Sequence, residues 1–584
     1  MLISVPRRTL KLPTRLTIVL VIPLILSAFT HLWNPIGFPA IHSDEGRYLT
    51  KAVNIIRGIA PTDPGNYYHP FFGQIILAGA LGIVGYLELA DSNDNAELRS
   101  IENLWLVPRL LMGIFAVADT FLIYKIAEKR YNRYVAFISS ILFAIMPLTW
   151  MTRRIYLDSI LLPFLLLSVL FAVYYTRAKP KSNKKSKDRR INSDSKIMVL
   201  LSGIFLGLAI FTKIPAFTMI PMVVGILIYN NYRALRSLLL WFIPLLLIPA
   251  IYPGYAILQG EFDEWRKDIS YQTDRIPVGM LENFKSLFIF DPVLTVLGIA
   301  GIIFAAIKKD FLPLIWVVPF AIFLYLNEYS SAHFWIVALP AFSLAAAILI
   351  LDITKMMSRK IKVTQIPITS FYSDNVFSKM KLSYYLKIGL FSSILSVVPI
   401  SLVVIFGVVS TVILITTTSL NSHYFEAVAI ISENLPINSG GGDVINNYNN
   451  NESKVTVIGF PQTLIYFWIP KYILDKDVDF LEARTFNKDK DMDYLEGRSL
   501  ETEKALLIID DRFKQYLEDD RNKKTFEWNV DKMLYNSSDL LAKFDDNAII
   551  YDRNRYPYTN INEYTPDGSQ DWNSLRSVEI RKNY

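Results

Sequence analysis

Long apolar runs recur through the first 417 residues of this 584-residue chain, and they constrain its fold more than any other feature. About 20 consecutive apolar residues suffice for one helix to cross the roughly 30 Å hydrocarbon core of a membrane. At 52% hydrophobic residues the chain is too apolar for a soluble protein of this length, so the sequence predicts an α-helical polytopic membrane protein. The runs lie near 16–33, 71–90, 104–126, 134–151, 157–175, 197–212, 214–230, 237–257, 287–307, 311–327, 333–352 and 387–417.

Basic loops predict which side of the membrane each run faces. Residues 1–14 contain three basic side chains, and the strongest basic loop is 177–196, so both should be cytoplasmic. That loop would face outside if every run crossed the membrane. Leaving out 71–90, which contains Gln74 and several small residues and ends in Glu88 and Asp91, resolves the conflict. We therefore expect about eleven spans, and one extracytoplasmic loop over 34–103 with 71–90 at the membrane interface.

Composition excludes several classes of function. The net charge of +7 is explained by membrane-flanking loops, so it does not indicate nucleic-acid binding. The absence of cysteine excludes disulfides, thiolate catalysis and cysteine-ligated metals. The five histidines show no metal-ligand spacing. Basic residues precede the first run and no small-residue cleavage site follows it, so we interpret it as a retained signal-anchor helix.

The chain changes character after residue 419. Short apolar runs at 454–459, 505–510 and 548–552 each end in Gly or Asp, with helical stretches at 462–473 and 512–519. This pattern predicts a small extracytoplasmic α/β domain over 420–584, after a transmembrane domain over 1–419. A nucleotide site is a weaker interpretation of the same strands, because no glycine-rich phosphate loop accompanies them.

An acidic doublet, Asp44-Glu45, directly follows the first apolar run. Apolar residues from 48 to 56 gather on one side of a helix, and Gly58 is placed to end it. The sequence therefore predicts a short amphipathic helix parallel to the membrane, with Asp44 at its N-terminus, where the helix dipole favours a carboxylate. Adjacent helical residues point about 100° apart, so the two carboxylates should serve different roles.

Other charged residues are expected at the same membrane face. A charge within a span costs about 2.5–3.5 kcal/mol on insertion scales, so clustering at one face favours a functional role. Each residue also has an ordinary explanation, such as a helix cap for the doublet, snorkelling for the arginine pair, a turn for the lysine and a structural role for the histidine before Pro70. The candidates are Asp44, Glu45, His69, Arg109, Arg153, Arg154, Asp158 and Lys213.

This inventory suits one reaction class, sugar transfer from a lipid phosphate. Its leaving group is a phosphodiester that becomes a phosphomonoester and departs without being protonated, so one base suffices to activate an acceptor hydroxyl. The remaining need is for positive charge and hydrogen-bond donors around the phosphate.

Five motifs occur in an order that resembles the lipid-phosphate-sugar-dependent membrane glycosyltransferases of the GT-C superfamily. They are Asp44–Tyr48, Tyr68–Pro70, Val107–Leu111, Arg154–Ser159 and Phe211–Pro215, within a similarity that runs over roughly residues 15–350. The similar families are the protein O-mannosyltransferases (glycosyltransferase family 39) and the aminoarabinose transferases.

The resemblance implies residue roles and partners. Asp44 would be the base, and basic residues at 109, 154 and 213 would hold the lipid phosphate. The donor would be a polyprenyl-phosphate sugar and the reaction inverting, at the extracytoplasmic face, with a protein, lipid or glycan acceptor. The sequence departs from the family at Phe71, where a second proline is usual, and it lacks the β-trefoil insert of eukaryotic protein mannosyltransferases.

Two alternatives from other classes remain open at this point. A secondary transporter would explain the spans, but it predicts internal repeats and ionisable residues near the bilayer midplane. A non-catalytic membrane assembly protein would tolerate the loss of Asp44. An Asp-Glu pair can also bind a divalent cation, although one doublet supplies too few ligands to define a site.

The predicted topology can be tested with single cysteines, because the chain contains none. A Ser182→Cys variant places a thiol in the 177–196 loop, and a Ser92→Cys variant places one in the 34–103 loop. In intact cells, a membrane-impermeant maleimide should label the Ser92→Cys variant, and the Ser182→Cys variant should react only after permeabilisation. Labelling of the Ser182→Cys variant in intact cells would contradict the assignment.

Overall fold

The computed structural model describes most of the first 363 residues and shorter parts of the remainder. The described residues are 16–39, 41–62, 67–86, 96–177, 193–228, 235–273, 280–326, 332–363, 398–413, 415–416, 421–435, 455–459, 470, 478–482, 504–518, 526–545 and 577–582.

The first part of the described chain is helical. The helices are α1 (Leu16–Leu32), α2 (Ser43–Ile56), α3 (Phe72–Ile83), α4 (Ala96–Arg130), α5 (Arg133–Ile145), α6 (Leu157–Arg177), α7 (Ser193–Thr212), α8 (Ile220–Ile228), α9 (Leu235–Gln259), α10 (Phe262–Thr273), α11 (Met280–Phe290), α12 (Pro292–Ile307), α13 (Leu312–Leu326), α14 (Leu339–Val363) and α15 (Val398–Ile413). Single 3-10 helices at Pro147–Arg153, Ile214–Met219 and Ala332–Ala338 adjoin α5, α8 and α14.

Several helices have the length and composition of membrane spans. Among the described residues, five qualify on their own, and two bent pairs qualify if each pair is one span. The bent pairs are α5 with its 3-10 helix, at 68°, and α12 with α13, at 120°. Further apolar helices of 10–17 residues lie at 20–32, 72–83, 214–228 and 398–413. The structure is thus a membrane helical bundle, and the number of about eleven spans stays a prediction.

The bundle has central and peripheral helices. In α6 and in the span that ends in α14, 78% of the most apolar window is buried within the protein, against 22% in α9. The outward side chains of α9 include Leu239, Leu246 and Leu258. We infer that α6 and α14 form the middle of the bundle, while α9 presents its apolar face to lipid.

Glycines permit the closest approach between α7 and α9. Gly203 and Gly207 lie one turn apart on α7, and a Cβ at Gly203 would stand 2.3 Å from the carbonyl oxygen of Trp241 on α9. Small residues at this spacing allow two membrane helices to bring their backbones into contact. Where lipid is as apolar as the side chains, such close packing is a main source of helix association.

The helices after the first span form as the sequence pattern predicts. The amphipathic helix is confirmed as α2, which begins at Ser43, and Gly58 follows it with a left-handed φ of +75°. The 71–90 run forms α3, whose 12 residues extend about 18 Å, too short to cross the hydrocarbon core.

The described residues after 420 include a five-stranded sheet. Its strands are β1 (Val455–Gly459), β2 (Val478–Glu482), β3 (Lys504–Asp510), β4 (Asp539–Asp545) and β5 (Ser577–Lys582), and its helices are α16 (Ser422–Glu433), α17 (Asp511–Glu518) and α18 (Phe526–Ser537). The strand order is β2-β1-β3-β5-β4, with β1 parallel to β2 and β3, and β5 antiparallel to both of its neighbours.

The two faces of this sheet pack differently. One face, which includes Val457 and Leu506, packs against α16, and the other packs against α17 and α18. Alternate residues of a strand point to opposite faces, and burial on both explains why β1 and β3 are continuously apolar. The predicted strands at 454–459 and 505–510 correspond to β1 and β3, and the helical stretch at 512–519 corresponds to α17. The predicted strand at 548–552 and nearly all of the 462–473 stretch lie outside the described residues.

Helix α16 also joins the sheet to the bundle. The rings of Tyr424 and Phe425 meet Trp105 of α4 edge-on, with centroids 5.7 and 6.1 Å away. The face of the sheet behind α16 belongs to the same apolar cluster as residues of α2 and α3. The sheet therefore docks at the end of the bundle that carries the acidic doublet.

The close contact between α7 and α9 gives a prediction for stability. Gly203→Ala should lower the thermal unfolding midpoint of the detergent-purified protein, because the added methyl group would collide with the main chain of α9. Overpacking of this kind costs about 1–3 kcal/mol. Gly225→Ala is the matched control, since nothing lies within 4 Å of a Cβ there. An equal midpoint for both variants would contradict the proposed contact.

Candidate active site

The acidic doublet lies in the first turn of α2. His42 is the N-cap of this helix, and its Nδ1 accepts a hydrogen bond from the backbone N–H of Asp44 over 3.3 Å. Asp44 and Glu45 point in different directions, as expected for neighbours on a helix. The Asp44 side chain keeps 28% of its surface exposed, whereas Glu45 is fully buried.

Glu45 is held by a dense set of donors. Its Oε2 accepts hydrogen bonds from Arg109 Nη2 at 2.8 Å and Trp105 Nε1 at 3.1 Å. Its Oε1 accepts from the backbone N–H of Ile155 at 3.1 Å. These contacts pair and solvate a charge that would otherwise be costly to bury. Glu45 therefore ties α2 to α4 and to the segment that leads into α6.

The irregular segment 33–41, called here the entry loop, connects α1 to α2. Arg153 donates to the carbonyl oxygens of Trp33, Asn34 and Phe38, at 2.5, 3.0 and 3.0 Å. Arg109 donates to those of Pro35 and Pro39, at 3.0 and 2.7 Å. An irregular backbone beside the membrane needs such partners, because its polar groups lack those of a helix.

These contacts differ from the phosphate-binding role that the resemblance implied for Arg109, and from the substrate-binding role for which Arg153 was a candidate. Both guanidiniums are at most 2% exposed, and their Nη groups are directed at main-chain carbonyls, with Arg109 also on Glu45. The physical reason is local, since the entry loop presents several carbonyl oxygens that no regular backbone pairing satisfies. In this structure the two arginines support the loop that carries the doublet.

Lys213 and Asp158 form a second buried pair. Lys213 follows α7, and its Nζ donates to Asp158 Oδ2 over 2.5 Å. The Lys213 ammonium also lies 4.2 Å from the centre of the Phe334 ring, within cation-π range. Asp158 comes from the first turn of α6, so the pair connects α6 with the residue that follows α7.

Two histidines and a tyrosine pack against one another near the doublet. The His333 ring stacks on the Tyr156 ring with centroids 4.3 Å apart, and the His42 ring meets Tyr156 edge-on at 5.4 Å. His333 Nε2 lies 3.9 Å from Asp158 Oδ2. This imidazole-tyrosine group connects the doublet with the Lys213–Asp158 pair.

Arg154 also lies in this region. Its Nη1 donates to the Tyr156 hydroxyl over 2.8 Å, and its guanidinium lies 5.0 Å from the centre of the Trp150 ring. Unlike its neighbour Arg153, whose Nη groups reach the carbonyls around the entry loop, Arg154 turns toward the Tyr156 side of the site.

His69 approaches from the segment before α3. Its ring lies 6.0 Å from the ring of Tyr48, which follows Asp44 by one helical turn. Tyr67, two residues earlier, is bound to the α9–α10 region. Its backbone N–H donates to Asp268, and its hydroxyl donates to Glu261. Its carbonyl oxygen accepts a hydrogen bond from the Tyr252 hydroxyl. Burial and the bond to Glu261 raise the pKa of Tyr67 to about 12.

Electrostatics keep Asp44 ionised. Burial raises the pKa of the Asp44 carboxyl, but four neighbouring basic side chains outweigh that effect, so its pKa lies below its ordinary value. Those groups are, in order of effect, His42, Arg47, His69 and Lys213. At neutral pH Asp44 is therefore a carboxylate that can accept a proton.

The structure thus brings the predicted residues into two groups. Glu45, Arg109 and Arg153 support the backbone around the doublet, while Asp44, His69, Arg154, Asp158 and Lys213 surround a polar region beside it. Within the described part of the chain, no three His, Asp or Glu side chains are grouped closely enough to hold a metal ion.

Sequence reasoning missed His42 and Tyr156, and it gave His333 no firm role. Tyr156 lies within the Arg154–Ser159 motif, whereas His42 and His333 lie outside the five motifs, and only the folded chain brings the three rings together. Their place in the sequence is the one available signal, since His42 precedes the doublet by two residues and Tyr156 precedes Asp158 by two.

Comparisons with known proteins give one family match and several similar solved structures. The family model described as dolichyl-phosphate-mannose-protein mannosyltransferase matches residues 21–249. ArnT from Cupriavidus metallidurans, solved with undecaprenyl phosphate, superposes with a TM-score of 0.54 at 12% identity, over 98% of this chain and 99% of that one. The Archaeoglobus fulgidus oligosaccharyltransferase tethered to an acceptor peptide superposes with a TM-score of 0.51 at 13% identity, over 91% and 73%. No curated protein sequence matches the chain.

At these identities the solved structures establish the fold, which is that of the GT-C glycosyltransferases. Together with the family match, the fold identifies the chain as an integral-membrane glycosyltransferase. The match to the protein mannosyltransferase model covers residues 21–249, which is less than half of the chain. The enzyme interpretation thus prevails over the transporter and assembly alternatives.

The buried ion pair between Glu45 and Arg109 gives a prediction that distinguishes a structural role of Glu45 from a catalytic one. Glu45→Gln would leave the Arg109 guanidinium buried without its counter-charge, which typically costs about 3–5 kcal/mol. We expect a clearly lower thermal unfolding midpoint in detergent. Asp44→Asn is the control, since that side chain is partly exposed, and its midpoint should stay near that of the parent. Equal midpoints for the two variants would contradict the supporting role of Glu45.

Proposed function

We propose that the enzyme transfers a sugar from a polyprenyl phosphate to an acceptor hydroxyl or amine at the extracytoplasmic face, with inversion, and that Asp44 is the base. One observation carries this proposal. Of the carboxylates that meet at this end of the bundle, Asp44 is partly exposed and ionised, while Glu45 and Asp158 are each buried against a cation.

The chemical step requires one proton acceptor. As the acceptor oxygen or nitrogen attacks the anomeric carbon, its proton passes to an oxygen of Asp44. The bond between that carbon and the phosphate oxygen breaks, and the electron pair leaves with the polyprenyl phosphate. The departing phosphomonoester carries the charge, so no general acid is needed.

The same arrangement supports inversion. Retention with a covalent intermediate would require a second carboxylate free to attack the sugar, as in retaining glycosidases. Glu45 is engaged by Arg109 and Trp105, and Asp158 by Lys213. A single displacement assisted by Asp44 inverts the configuration at the anomeric carbon.

Positive charge for the phosphate would come from Lys213 and Arg154. Lys213 belongs to the electrostatic surroundings of Asp44, and Arg154 reaches the same region through Tyr156. A phosphate here would compete with Asp158 for the Lys213 ammonium, which has three N–H donors and so can serve both. His333 and His69 line the region and would add donors to the phosphate or the sugar.

The similar structures support the choice of donor. ArnT was solved with undecaprenyl phosphate, and the archaeal oligosaccharyltransferase AglB from Archaeoglobus fulgidus was solved with dolichol phosphate and an inhibitory peptide, at a TM-score of 0.50. We infer that this enzyme uses a carrier of the same polyprenyl-phosphate class. The acceptor would be a protein, a lipid or a glycan.

The contact between the domains supports one shared side of the membrane for Asp44 and the C-terminal sheet. The contact of Tyr424 and Phe425 with Trp105 holds the C-terminal sheet at the same end as Asp44. This supports a transmembrane domain over 1–419 and an extracytoplasmic domain over 420–584, near the acceptor's path. It also agrees with a cytoplasmic N-terminus and an odd number of about eleven spans.

Turnover of defined donors tests the proposal. Purified enzyme would be incubated with radiolabelled polyprenyl-phosphate sugars and candidate acceptors. Loss of a positioned general base typically lowers the rate by about 10²–10⁴-fold, so Asp44→Asn should lose transfer while keeping normal expression and donor binding.

The matched control is Asp352→Asn, which alters a carboxylate beside Lys308, far from the doublet in the sequence, and should leave transfer unchanged. Undiminished transfer by the Asp44→Asn variant would rule out Asp44 as the base.

A further inference from the structure

Asn421 begins the C-terminal part of the chain, and its side chain contacts the entry loop rather than its own helix. It occupies the N-cap position of α16, where an Asn side chain ordinarily accepts a hydrogen bond from a backbone N–H of the first turn. Here the side chain makes no such bond. Because the side chain does not cap its own helix, its hydrogen-bonding groups are available to another segment.

The Asn421 side chain hydrogen-bonds the backbone of the entry loop. Its Nδ2 donates to the carbonyl oxygens of Ile36 and Pro39, at 2.5 and 2.9 Å, and its Oδ1 accepts from the backbone N–H of Ile41 at 2.9 Å. One buried amide therefore satisfies both donors and acceptors of a backbone that has no regular pairing. Ile41 stands three residues before Asp44, so this contact fixes the path of the chain into α2.

Asn421 is complementary to the two arginines. Arg109 shares the Pro39 carbonyl with it, and Arg153 serves carbonyls on the other side of the loop. The arginines supply donors alone, whereas the amide also supplies an acceptor for the one backbone N–H involved. Asn421 therefore supplies the loop with a hydrogen-bond acceptor, which neither guanidinium has.

The first turn of α16 also contacts a side chain that binds the doublet. Tyr424, in the first turn of α16, packs against the indole of Trp105, whose Nε1 donates to Glu45. The start of the C-terminal domain thus meets both the entry loop and the side chain that holds Glu45.

We propose that Asn421 is a positioning residue for Asp44, so that the start of the C-terminal domain is a working part of the catalytic site. This rests on the proposed function, in which Asp44 is the base. By holding the backbone at Ile41, Asn421 sets where the Asp44 carboxylate stands relative to the donor sugar. Its loss leaves the donor site intact and displaces the base.

The first test measures the loop without measuring catalysis. Hydrogen–deuterium exchange of the full-length enzyme would follow peptides that cover 34–44. Asn421→Ala should speed exchange there, because Ile41 loses its acceptor. Asn434→Ala is the matched control, since Asn434 lies at the other end of α16 and its Nδ2 donates to Ile430 of the same helix. Unchanged exchange in the Asn421→Ala variant overturns the proposal whether or not the enzyme turns over a donor.

The second test separates positioning from general stability. A misplacement of about 1 Å can cost about 100-fold in rate, so Asn421→Ala should lower kcat by about 10- to 100-fold with the KM for the polyprenyl-phosphate sugar nearly unchanged. In the Asp44→Asn background the same substitution should have little further effect on the residual rate, because Asn421 acts through Asp44. Asn434→Ala should leave kcat unchanged.

Failure of the positioning role can be distinguished from failure of the proposed function. Faster exchange with an unchanged kcat, or effects on kcat that are additive with Asp44→Asn, would overturn the positioning role. If the parent enzyme transfers no sugar from any polyprenyl phosphate, the proposed function fails, and faster exchange over 34–44 would then support only the contact between Asn421 and the loop.

Discussion

The site depends on how the entry loop satisfies its backbone polar groups. This loop connects α1 to the amphipathic helix α2 through backbone that is neither helix nor strand. Beside a membrane, such groups need donors from the protein itself. Two buried arginines and one asparagine supply them, and the acidic doublet follows within a few residues. The position of Asp44 is thus a consequence of hydrogen bonding in the segment before it.

This arrangement divides the charges of the region into two functions. Arg109, Arg153 and Glu45 are buried and serve the backbone and one another. Asp44 is partly exposed, and Lys213, which belongs to its electrostatic surroundings, is paired with Asp158. The division allows one carboxylate of an adjacent pair to be fixed while the other keeps contact with solvent. Neighbouring positions on a helix make this possible, because their side chains diverge.

Much of the fold could be predicted from the sequence, because it follows from local patterns. The spacing of apolar residues after Asp44 predicted α2, and Gly58 marked its end. The 71–90 run contains the 12-residue helix α3, and its place outside the membrane core stays a prediction. The separation of the two carboxylates also followed from helix geometry. Each of these depends on neighbours in the sequence.

The roles of individual charged residues could not be predicted in the same way. A sequence shows that Arg109 and Arg153 lie near a membrane face, but not whether phosphate or backbone carbonyls meet them there. That choice depends on the irregular path of the entry loop. The stacking of His333 on Tyr156 likewise joins segments that share no local pattern.

The hydrogen bond between Ile41 and Asn421 joins residues that are 380 positions apart in the chain. A ribosome reaches the doublet early and the asparagine late, after the intervening membrane helices have been made. The newly inserted chain therefore contains Asp44 from the start but lacks the contact that holds the backbone before it. A chain whose translation stopped before residue 421 would contain the doublet without this hydrogen bond, however many of its membrane helices had already been made.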